Sequence, residues 1–373
     1  MLSSKADNRV LSWLHIGDLH ITAGDEENHR DLQRVVALAQ GLPPGSLDFV
    51  LLPGDNADDG TPEQFALVRD AVAPLRLPLH ILPGDHDFKP RNLQAFYDTL
   101  GAKRLPYAIS EKGHRCLFLD VVSAGMGGPD FRLGEDQLAW AEREMGAAEL
   151  AGEPAAVFMH TYPADLREGA DRLGALLARP DVLCVDMGHT HYNELANDGG
   201  TILMATRSTG QIEEGPPGFS VAAIDGGGVS WRFKTLEQAW PFVLVTTPVD
   251  RRLVTDARQV LEASFVARAK VLGDVPITTT EMRVDDGDWV PMTAVPGEQA
   301  LWQAHVASPG NVVRVRARDA AGRTDEDQIE CARPDWASPA RAADGSDHDR
   351  VGSWPEKGIF DTQLGPNRNG RKW

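Results

Sequence analysis

Five short motifs in the first half of the chain are rich in aspartate and histidine, whose oxygen and nitrogen atoms bind divalent metal ions. In chain order they are Asp18-Leu19-His20, Gly54-Asp55-Asn56, Gly84-Asp85-His86-Asp87, the single His160 and Gly188-His189-Thr190-His191. One Asp-x-His sequence alone would carry little weight. Five such motifs, each following an apolar run, predict a metal site.

The apolar runs before these motifs predict the elements that position them. Short apolar runs bounded by turn residues are typical of buried strands. They cover residues 12–16, 48–52, 79–82, 156–159 and 182–185. Helical spacing of apolar residues is found at 28–40, 62–73 and 134–149. This alternation predicts an α/β fold, and because such folds place their chemistry at strand ends, we expect the motifs to meet there.

The ordered motifs resemble those of the calcineurin-like metallophosphoesterase superfamily, which are D-x-H, G-D-x-x, G-N-H-D/E, H and G-H-x-H. The resemblance covers roughly residues 10–235. Within the superfamily, segments 54–65 and 133–140 look most like the cyclic-nucleotide (class III) phosphodiesterase branch. The resemblance implies a four-layer α/β/β/α sandwich and a metal-dependent phosphoric ester hydrolase.

Carried over by position, the resemblance implies a pair of divalent ions, Mn, Fe or Zn. The implied ligands are Asp18, His20 and His191 for the first ion, Asp55 as the bridge, and His160, His189 and Asp85 for the second. A bridging hydroxide would attack the phosphorus, because two ions about 3.5–4 Å apart neutralise its oxygens and make water acidic. His86 would protonate the leaving oxygen, and Asp58 would orient His86.

Asp85 departs from the family pattern, which has asparagine at this position. With two divalent ions, two aspartates and a hydroxide, the family core keeps one net positive charge, and an ionised Asp85 removes it. We therefore expect tighter binding of the second ion and a preference for monoanionic diesters over dianionic monoesters. The alternatives are that Asp85 is a simple isosteric replacement or that the site is degraded and inactive.

Two further residues are weaker candidates for substrate binding. Arg207 follows an apolar run just after the last motif, so it could hold a phosphate oxygen or be a surface arginine. Tyr162, two residues after His160, could line the pocket or only pack there.

The expected reaction is hydrolysis of a small phosphodiester, either a cyclic nucleotide or a glycerol or alkyl phosphodiester. The alternatives are a phosphomonoesterase or protein phosphatase on the same core and a non-catalytic, metal-stabilised binding scaffold. The formal net charge of -18 argues against a nuclease, because following a nucleic-acid backbone requires a basic surface.

Composition suggests an ordinary globular protein, with 42% apolar and 25% charged residues among 373. No stretch approaches the ~18 apolar residues of a membrane span, and no secretory signal precedes the first strand. Three widely separated cysteines, Cys116, Cys184 and Cys331, suit packing roles in a reducing compartment. We therefore expect a cytoplasmic enzyme without a membrane partner.

The chain changes character after Trp240-Pro241, where strand-like alternation and tight turns replace helical spacing. Residues 282–290 predict a hairpin around Asp-Gly. The expected domains are 1–238 for catalysis, 239–335 as a small immunoglobulin-like β-sandwich, and 336–373 as a tail that is extended or packed back on the body. The β-sandwich could bind partners, shape the substrate channel or mediate formation of a homodimer, and of these we expect the homodimer.

Overall fold

A computed structural model describes residues 9–261, 263–308, 310–337, 339 and 349–362. Residues 338, 340–348 and 363–373 of the expected tail lie outside the described residues. Residues 9–235 contain five α-helices, which are α1 (Glu27–Gln40), α2 (Pro62–Val72), α3 (Gln94–Leu100), α4 (Glu135–Ala151) and α5 (Ala170–Leu177). The helices expected at 28–40, 62–73 and 134–149 are thus confirmed as α1, α2 and α4.

Eleven strands accompany these helices in the described part of the same region. They are β1 (Leu11–His15), β2 (Phe49–Leu52), β3 (Leu79–Ile81), β4 (Tyr107–Glu111), β5 (His114–Phe118), β6 (Ala155–Phe158), β7 (Val182–Met187), β8 (Glu194–Asn197), β9 (Ile202–Ala205), β10 (Gly218–Asp225) and β11 (Gly228–Thr235). One sheet has the order β11-β10-β1-β2-β3, and the other has the order β4-β5-β6-β7-β9-β8.

The two sheets pack face to face and helices cover their outer faces. Because side chains alternate along a strand, Trp13 and Phe49 point inward while Leu14 and Val50 point outward. Inward aromatic rings from both sheets contact each other, with Phe49 and Phe158 centred 5.7 Å apart. The α/β/β/α layering expected from the sequence is confirmed.

The parallel strands end where the five motifs begin. Strands β1, β2 and β3 are parallel neighbours in the first sheet, and β5, β6 and β7 are parallel neighbours in the second. Carboxyl ends of parallel strands lie at the same edge of a sheet. The three aspartate-bearing motifs therefore leave one sheet, and His160 and the His189–His191 motif leave the other.

The C-terminal region is all-β in the described residues. Its strands are β12 (Phe242–Thr247), β13 (Phe265–Leu272), β14 (Ile277–Val284), β15 (Val290–Pro291), β16 (Thr293–Ala294), β17 (Leu301–Val306), β18 (Val312–Asp319) and β19 (Thr324–Glu330). They form two four-stranded sheets, β12-β13-β17-β16 and β15-β14-β18-β19, around an apolar core. The expected Asp-Gly hairpin is confirmed, since Met282 in β14 pairs with Val290 in β15.

Charged side chains join the all-β region to the α/β region. Arg232 in β11 donates to the Val243 carbonyl (2.7 Å) and to Asp325 Oδ2 (2.5 Å). Lys270 in β13 is fully buried and donates to the Ser46 carbonyl at 2.6 Å. Such buried charges need these partners, because desolvation without them is costly.

The described end of the tail packs against both regions. The amide of Val351 donates to the Leu195 carbonyl (2.9 Å), and the side chains of Trp354 and Ile359 are buried in the core between the first two sheets. Lys357 is also buried, with Nζ 2.6 and 2.7 Å from the carboxylate oxygens of Asp327.

The cysteines are packing residues, as expected. Cys116 and Cys184 lie in the core between the two sheets of the α/β region, and Cys331 lies in the all-β core. All three are free thiols. None of the helices within the described ranges combines the length and apolar character needed to cross a membrane.

Replacement of Asp327 by alanine tests the buried contact between the all-β region and the tail. The change leaves the Lys357 ammonium buried without its carboxylate and removes the acceptor for the Val245 amide. We expect the free energy of unfolding to fall by about 3–5 kcal/mol, as for other broken buried ion pairs. Urea unfolding followed by tryptophan fluorescence measures it. The exposed Glu326→Ala on the same strand is the control, and equal effects of both changes would contradict the prediction.

Candidate metal centre

Seven aspartate and histidine side chains converge at the shared edge of the two sheets. One group, named here the first half-site, comprises Asp18, His20, Asp55 and His191. The other, the second half-site, comprises Asp55, Asp85, His160 and His189. In each group, one ligand atom per residue lies within 4.8 Å of the others, and all members are buried. Asp55 belongs to both groups, which is the position expected of a bridging ligand.

The first half-site brings two imidazoles against two carboxylates. His20 Nε2 and His191 Nε2 lie 3.1 Å apart. His20 Nε2 is 3.6 Å from Asp55 Oδ2, and His191 Nε2 is 3.5 Å from Asp18 Oδ2. The Nε2 atoms of both rings therefore point into the same space as the aspartate oxygens.

The second half-site is centred on one oxygen of Asp85. Its Oδ1 atom lies 3.4 Å from both His160 Nε2 and His189 Nδ1. His160 Nε2 is also 3.5 Å from Asp55 Oδ1. The ring of Phe131 closes this side, with its centroid 4.7 Å from that of His189.

Glycines precede four of these ligands, and the backbones of three of these glycines, Gly54, Gly84 and Gly188, approach another ligand closely. A Cβ atom at Gly84 would lie 2.1 Å from Asp55 Oδ1, and one at Gly188 would lie 2.2 Å from Asp18 Oδ1. Any larger residue would displace those carboxylate oxygens. The Gly-Asp and Gly-His pairs of the motifs are therefore required by space as well as by turn geometry.

Four ligand residues adopt the left-handed backbone conformation that non-glycine residues rarely use. The φ angles are 44° for His20, 50° for Asp55, 65° for His189 and 62° for His191. Each such residue carries strain of about 1–3 kcal/mol, which surrounding bonds must offset. The amide of His20 donates to the Asp55 carbonyl (2.8 Å), and that of His189 donates to Asp18 Oδ2 (2.7 Å).

The electrostatics of the cluster favour ionised carboxylates. Burial and the neighbouring Asp85 both act to raise the pKa of Asp55, yet His160 and His20 bring it down to about 2. Burial opposes ionisation of Asp85 as well, but contacts with His160 and His189 hold its pKa well below the usual value. Burial disfavours the charged form of His160, whereas Asp55 and Asp85 raise its pKa well above the usual value. The cluster therefore holds buried negative charge that attracts cations.

The donor atoms fit a pair of divalent ions. Asp18 Oδ1, Asp85 Oδ1 and His160 Nε2 are buried, and within the described structure they have no hydrogen-bond partner. The facing nitrogen and oxygen atoms of the second half-site stay 3.4–3.5 Å apart, beyond the usual hydrogen-bond length of about 2.7–3.2 Å. Two ligands about 2.1 Å from one tetrahedral ion are about 3.4 Å apart. Carboxylate and imidazole donors without thiolates suit Mn, Fe or Zn.

His86 and Asp58 lie beside the first half-site, as expected for the candidate acid and its orienting carboxylate. His86 Nδ1 is 2.9 Å from the Asp58 carbonyl and 3.0 Å from Asp58 Oδ1. Asp58 Oδ1 is also 3.3 Å from His20 Nδ1. Contact with His20 lowers the pKa of Asp58. The His86 amide donates to Asp55 Oδ1 at 2.9 Å, which ties the candidate acid to the shared carboxylate.

Asp87, to which the sequence analysis gave no role, organises two of the ligand loops. Its carboxylate accepts from the amides of Gly84 (3.0 Å) and Ala57 (2.9 Å) and from Asn56 Nδ2 (2.8 Å). Burial and the nearby Asp55 raise the pKa of Asp87 to about 7. Sequence reasoning missed this role because the contact between Asp87 and Asn56 spans 31 residues.

Two exposed side chains on the loop after Arg207 also reach the histidines. Gln211 Nε2 lies 3.2 Å from His20 Nδ1 and 3.3 Å from Asp58 Oδ1. Glu213 Oε1 lies 3.7 Å from His191 Nδ1. Sequence reasoning missed both, because no motif links this loop to the ligands.

The two weaker candidates have other partners. Arg207 is buried, not on the surface, and it donates to the carbonyls of Glu214 (2.7 Å) and Gly358 (3.0 Å). The surface alternative is therefore wrong, and a guanidinium that is almost fully covered has little area to offer a phosphate. Tyr162 is buried as well, and its hydroxyl lies 3.3 Å from Glu194 Oε2. Of the two roles that the sequence analysis gave Tyr162, packing is the one that fits this buried position.

Known proteins are similar to this chain over the region that contains the two half-sites. The calcineurin-like phosphoesterase family matches residues 11–193. The glycerophosphodiester phosphodiesterase GpdQ of Enterobacter lignolyticus is 31% identical over 48% of this chain and 69% of its own. The 3',5'-cyclic adenosine monophosphate phosphodiesterase CpdA of Escherichia coli K12 is 30% identical over 51% and 70%. A dimetal phosphatase from Danio rerio has a similar fold, with a TM-score of 0.51 at 14% identity over 61% of this chain and 97% of that one.

Metal titration of single variants tests the division into half-sites. We expect metal-stripped protein to bind two equivalents of Mn²⁺ by calorimetry. His191→Ala and His189→Ala should each bind one equivalent of Mn²⁺ fewer. Asp55→Ala should weaken the binding of both ions, because it removes the shared carboxylate. The exposed His305→Ala is the control and should bind like the unaltered protein. Full binding of two equivalents by Asp55→Ala would contradict the shared ligand.

Proposed function

Because this chain belongs to the calcineurin-like phosphoesterase family, we propose that it hydrolyses small phosphodiesters, either cyclic nucleotides or glycerol or alkyl phosphodiesters. The family makes the chain a metal-dependent phosphoric ester hydrolase. The observation that carries the proposal is the pair of buried half-sites that share Asp55, with His86 bonded to the same carboxylate.

The ligands proposed for one ion are Asp18, His20 and His191, and those for the other are Asp85, His160 and His189, with Asp55 common to both. Divalent ions held there neutralise phosphoryl oxygens and make water acidic enough to supply hydroxide near neutral pH. The chain contributes the positions of these ligands, fixed by the strand ends and the close-packed glycines.

His86 is the proposed general acid. Its Nδ1 atom is held by the Asp58 carbonyl and carboxylate, so Nε2 is the ring nitrogen left to give a proton to the leaving oxygen. About a quarter of the His86 side chain is exposed, unlike the nearly covered histidines of the half-sites. A leaving group can therefore reach this ring from solvent.

The preference for diesters rests on charge. An ionised Asp85, in place of the asparagine of the family pattern, leaves the dinuclear core without net positive charge. A dianionic monoester loses more attraction to such a core than a monoanionic diester does, since Coulomb energy scales with the charge of the ligand. The names of the relatives GpdQ and CpdA, both phosphodiesterases, support the same substrate class.

Chromogenic esters measure this preference directly. For protein reconstituted with Mn²⁺, we expect a higher kcat/KM for bis-p-nitrophenyl phosphate than for p-nitrophenyl phosphate. Preference for the monoester would overturn the proposal in favour of a phosphomonoesterase. Turnover of neither ester, with two Mn²⁺ bound, would identify a binding scaffold.

Asp85→Asn isolates the effect of the added charge. We expect the second Mn²⁺ to bind more weakly, on the order of tenfold, because a carboxylate in contact with the ion is lost. The ratio of monoester to diester kcat/KM should rise. Asp59→Asn removes an exposed carboxylate next to Asp58 and is the charge-matched control. Unchanged metal affinity and an unchanged ratio in Asp85→Asn would show a simple isosteric replacement.

His86→Ala separates proton transfer from metal binding. We expect kcat for the diester to fall by about 10²–10⁴-fold, the usual contribution of a general acid, with both Mn²⁺ equivalents retained. The loss should be smaller for esters of more acidic alcohols, whose leaving oxygens need less protonation. An equal loss for all leaving groups would rule out His86 as the acid.

A further inference from the structure

The described end of the tail, residues 349–362, contacts the loops of the first half-site, and a backbone carbonyl makes two of these contacts. The Gly358 carbonyl accepts from Asn193 Nδ2 (2.8 Å) and from Arg207 Nη2 (3.0 Å). Lys357, the preceding residue, is anchored in the all-β region by its buried pairing with Asp327. The tail is therefore anchored in the all-β region by Lys357, and its Gly358 carbonyl holds the side chains of Asn193 and Arg207.

Asn193 and Arg207 also brace each other. The Arg207 amide donates to Asn193 Oδ1 at 2.8 Å. The Arg207 guanidinium lies over the rings of Phe233 (4.2 Å) and Phe360 (5.1 Å), the second of which belongs to the tail. Because a guanidinium stacked and bonded in this way has one orientation, it fixes the start of the loop that follows it.

The loop after Arg207 holds residues of the first half-site. The Asp18 carbonyl accepts three hydrogen bonds, from Ser208 Oγ (2.8 Å), Thr209 N (2.9 Å) and Gly210 N (3.0 Å). The Ser208 amide donates to the His191 carbonyl at 3.4 Å. Gln211, on the same loop, lies against His20. Contacts from residues 208–211 thus reach Asp18, His20 and His191.

Two ligands of the second half-site, His160 and Asp85, have separate supports, whereas the amide of His189 donates to Asp18 and Asp55 is shared. His160 Nδ1 is 3.1 Å from the Pro53 carbonyl. Asp85 lies in the turn that Asp87 ties to Asn56 and Ala57. These contacts lie within the α/β region and run through neither Arg207 nor the tail.

We propose that residues 349–362 are a positioning element of the first half-site, acting through the Gly358 carbonyl, Asn193, Arg207 and the loop 208–211. This inference rests on the proposed function, since it concerns the metal affinity of the same site. Releasing the carbonyl loosens the loop that carries the Asp18 and His191 contacts, so the first half-site weakens while the second changes little.

Gly358→Ala tests the contact and Gly352→Ala is its matched control. Both glycines lie in the tail with positive φ, 89° and 75°. A Cβ at Gly358 would lie 2.8 Å from Phe233 Cβ, whereas one at Gly352 meets nothing within 4 Å. The two changes therefore share a positive φ and differ in the contact with Phe233, which forces the backbone at Gly358 or the Phe233 side chain to shift. Phe360→Ala, which removes a partly exposed ring from Arg207, is a milder second variant.

Each variant is examined by Mn²⁺ calorimetry and by amide hydrogen exchange. Mn²⁺ calorimetry in a His160→Ala background reports the first half-site, and in a His191→Ala background it reports the second. We expect Gly358→Ala to lower the Mn²⁺ affinity of the first half-site by about tenfold, the usual effect of losing a hydrogen-bonded support of a metal ligand. The Mn²⁺ affinity of the second half-site should change little. Amide hydrogen exchange in residues 206–215 should quicken in Gly358→Ala and Phe360→Ala but not in Gly352→Ala.

The outcomes separate this inference from the proposed function. Unchanged exchange in residues 206–215 and unchanged affinity would overturn the positioning role. Equal weakening of both half-sites together with a lower melting temperature would also overturn it, because the tail would then serve only general stability. Absence of Mn²⁺ binding by the unaltered protein would refute the dinuclear function, while hydrogen exchange would still decide whether the tail braces the loop.

Discussion

The site depends on keeping the carboxylates of Asp55 and Asp85 ionised although they are almost fully buried and lie close together. Burial penalises the charged form of a carboxylate, so isolated groups in this position would take up protons. Here four imidazoles and the backbone amides of His86 and His189 face the oxygens and stabilise the charge. Strained backbone and close-packed glycines are tolerated because they bring these groups together. A divalent pair bound there would complete the same compensation, which accounts for so much negative charge in one place.

This arrangement also requires the two sheets to end at the same level, since Asp55 comes from one sheet and His160 from the other. A buried polar contact behind the site provides that alignment. Asp186 in β7 accepts from Trp13 Nε1 (2.6 Å) and lies 2.8 Å from His15 Nδ1, and both partners are in β1. His15 and Asp186 each stand shortly before a ligand loop, so their contact fixes the relative height of Asp18 and His189. Apolar packing alone would allow sliding, whereas a hydrogen-bonded network has a single register.

The sequence predicted what is encoded locally. Apolar runs and helical spacing are local, so the α/β elements and the meeting of the five motifs at strand ends could be expected from them. The four layers and the seven ligands were expected from the resemblance to the family. Long-range contacts were not predictable in this way. Arg207 was expected at the surface or against a phosphate, because no residue near it in the sequence indicates that Phe233 and Gly358 are its partners. The tail could be expected only as extended or packed back, because its anchor, the pair of Lys357 and Asp327, joins residues on separate elements.

Asp58 shows how closely proton transfer and metal binding are joined. A single oxygen, Oδ1, lies 3.3 Å from His20 Nδ1 and 3.0 Å from His86 Nδ1. A carboxylate that accepts a hydrogen bond from Nδ1–H of an imidazole fixes the ring and leaves Nε2 free to act. The two rings also touch edge to face, with centroids 4.4 Å apart, so neither can turn without disturbing the other. The proposed acid therefore stands beside the first half-site, where a change that moves His20 also disturbs His86.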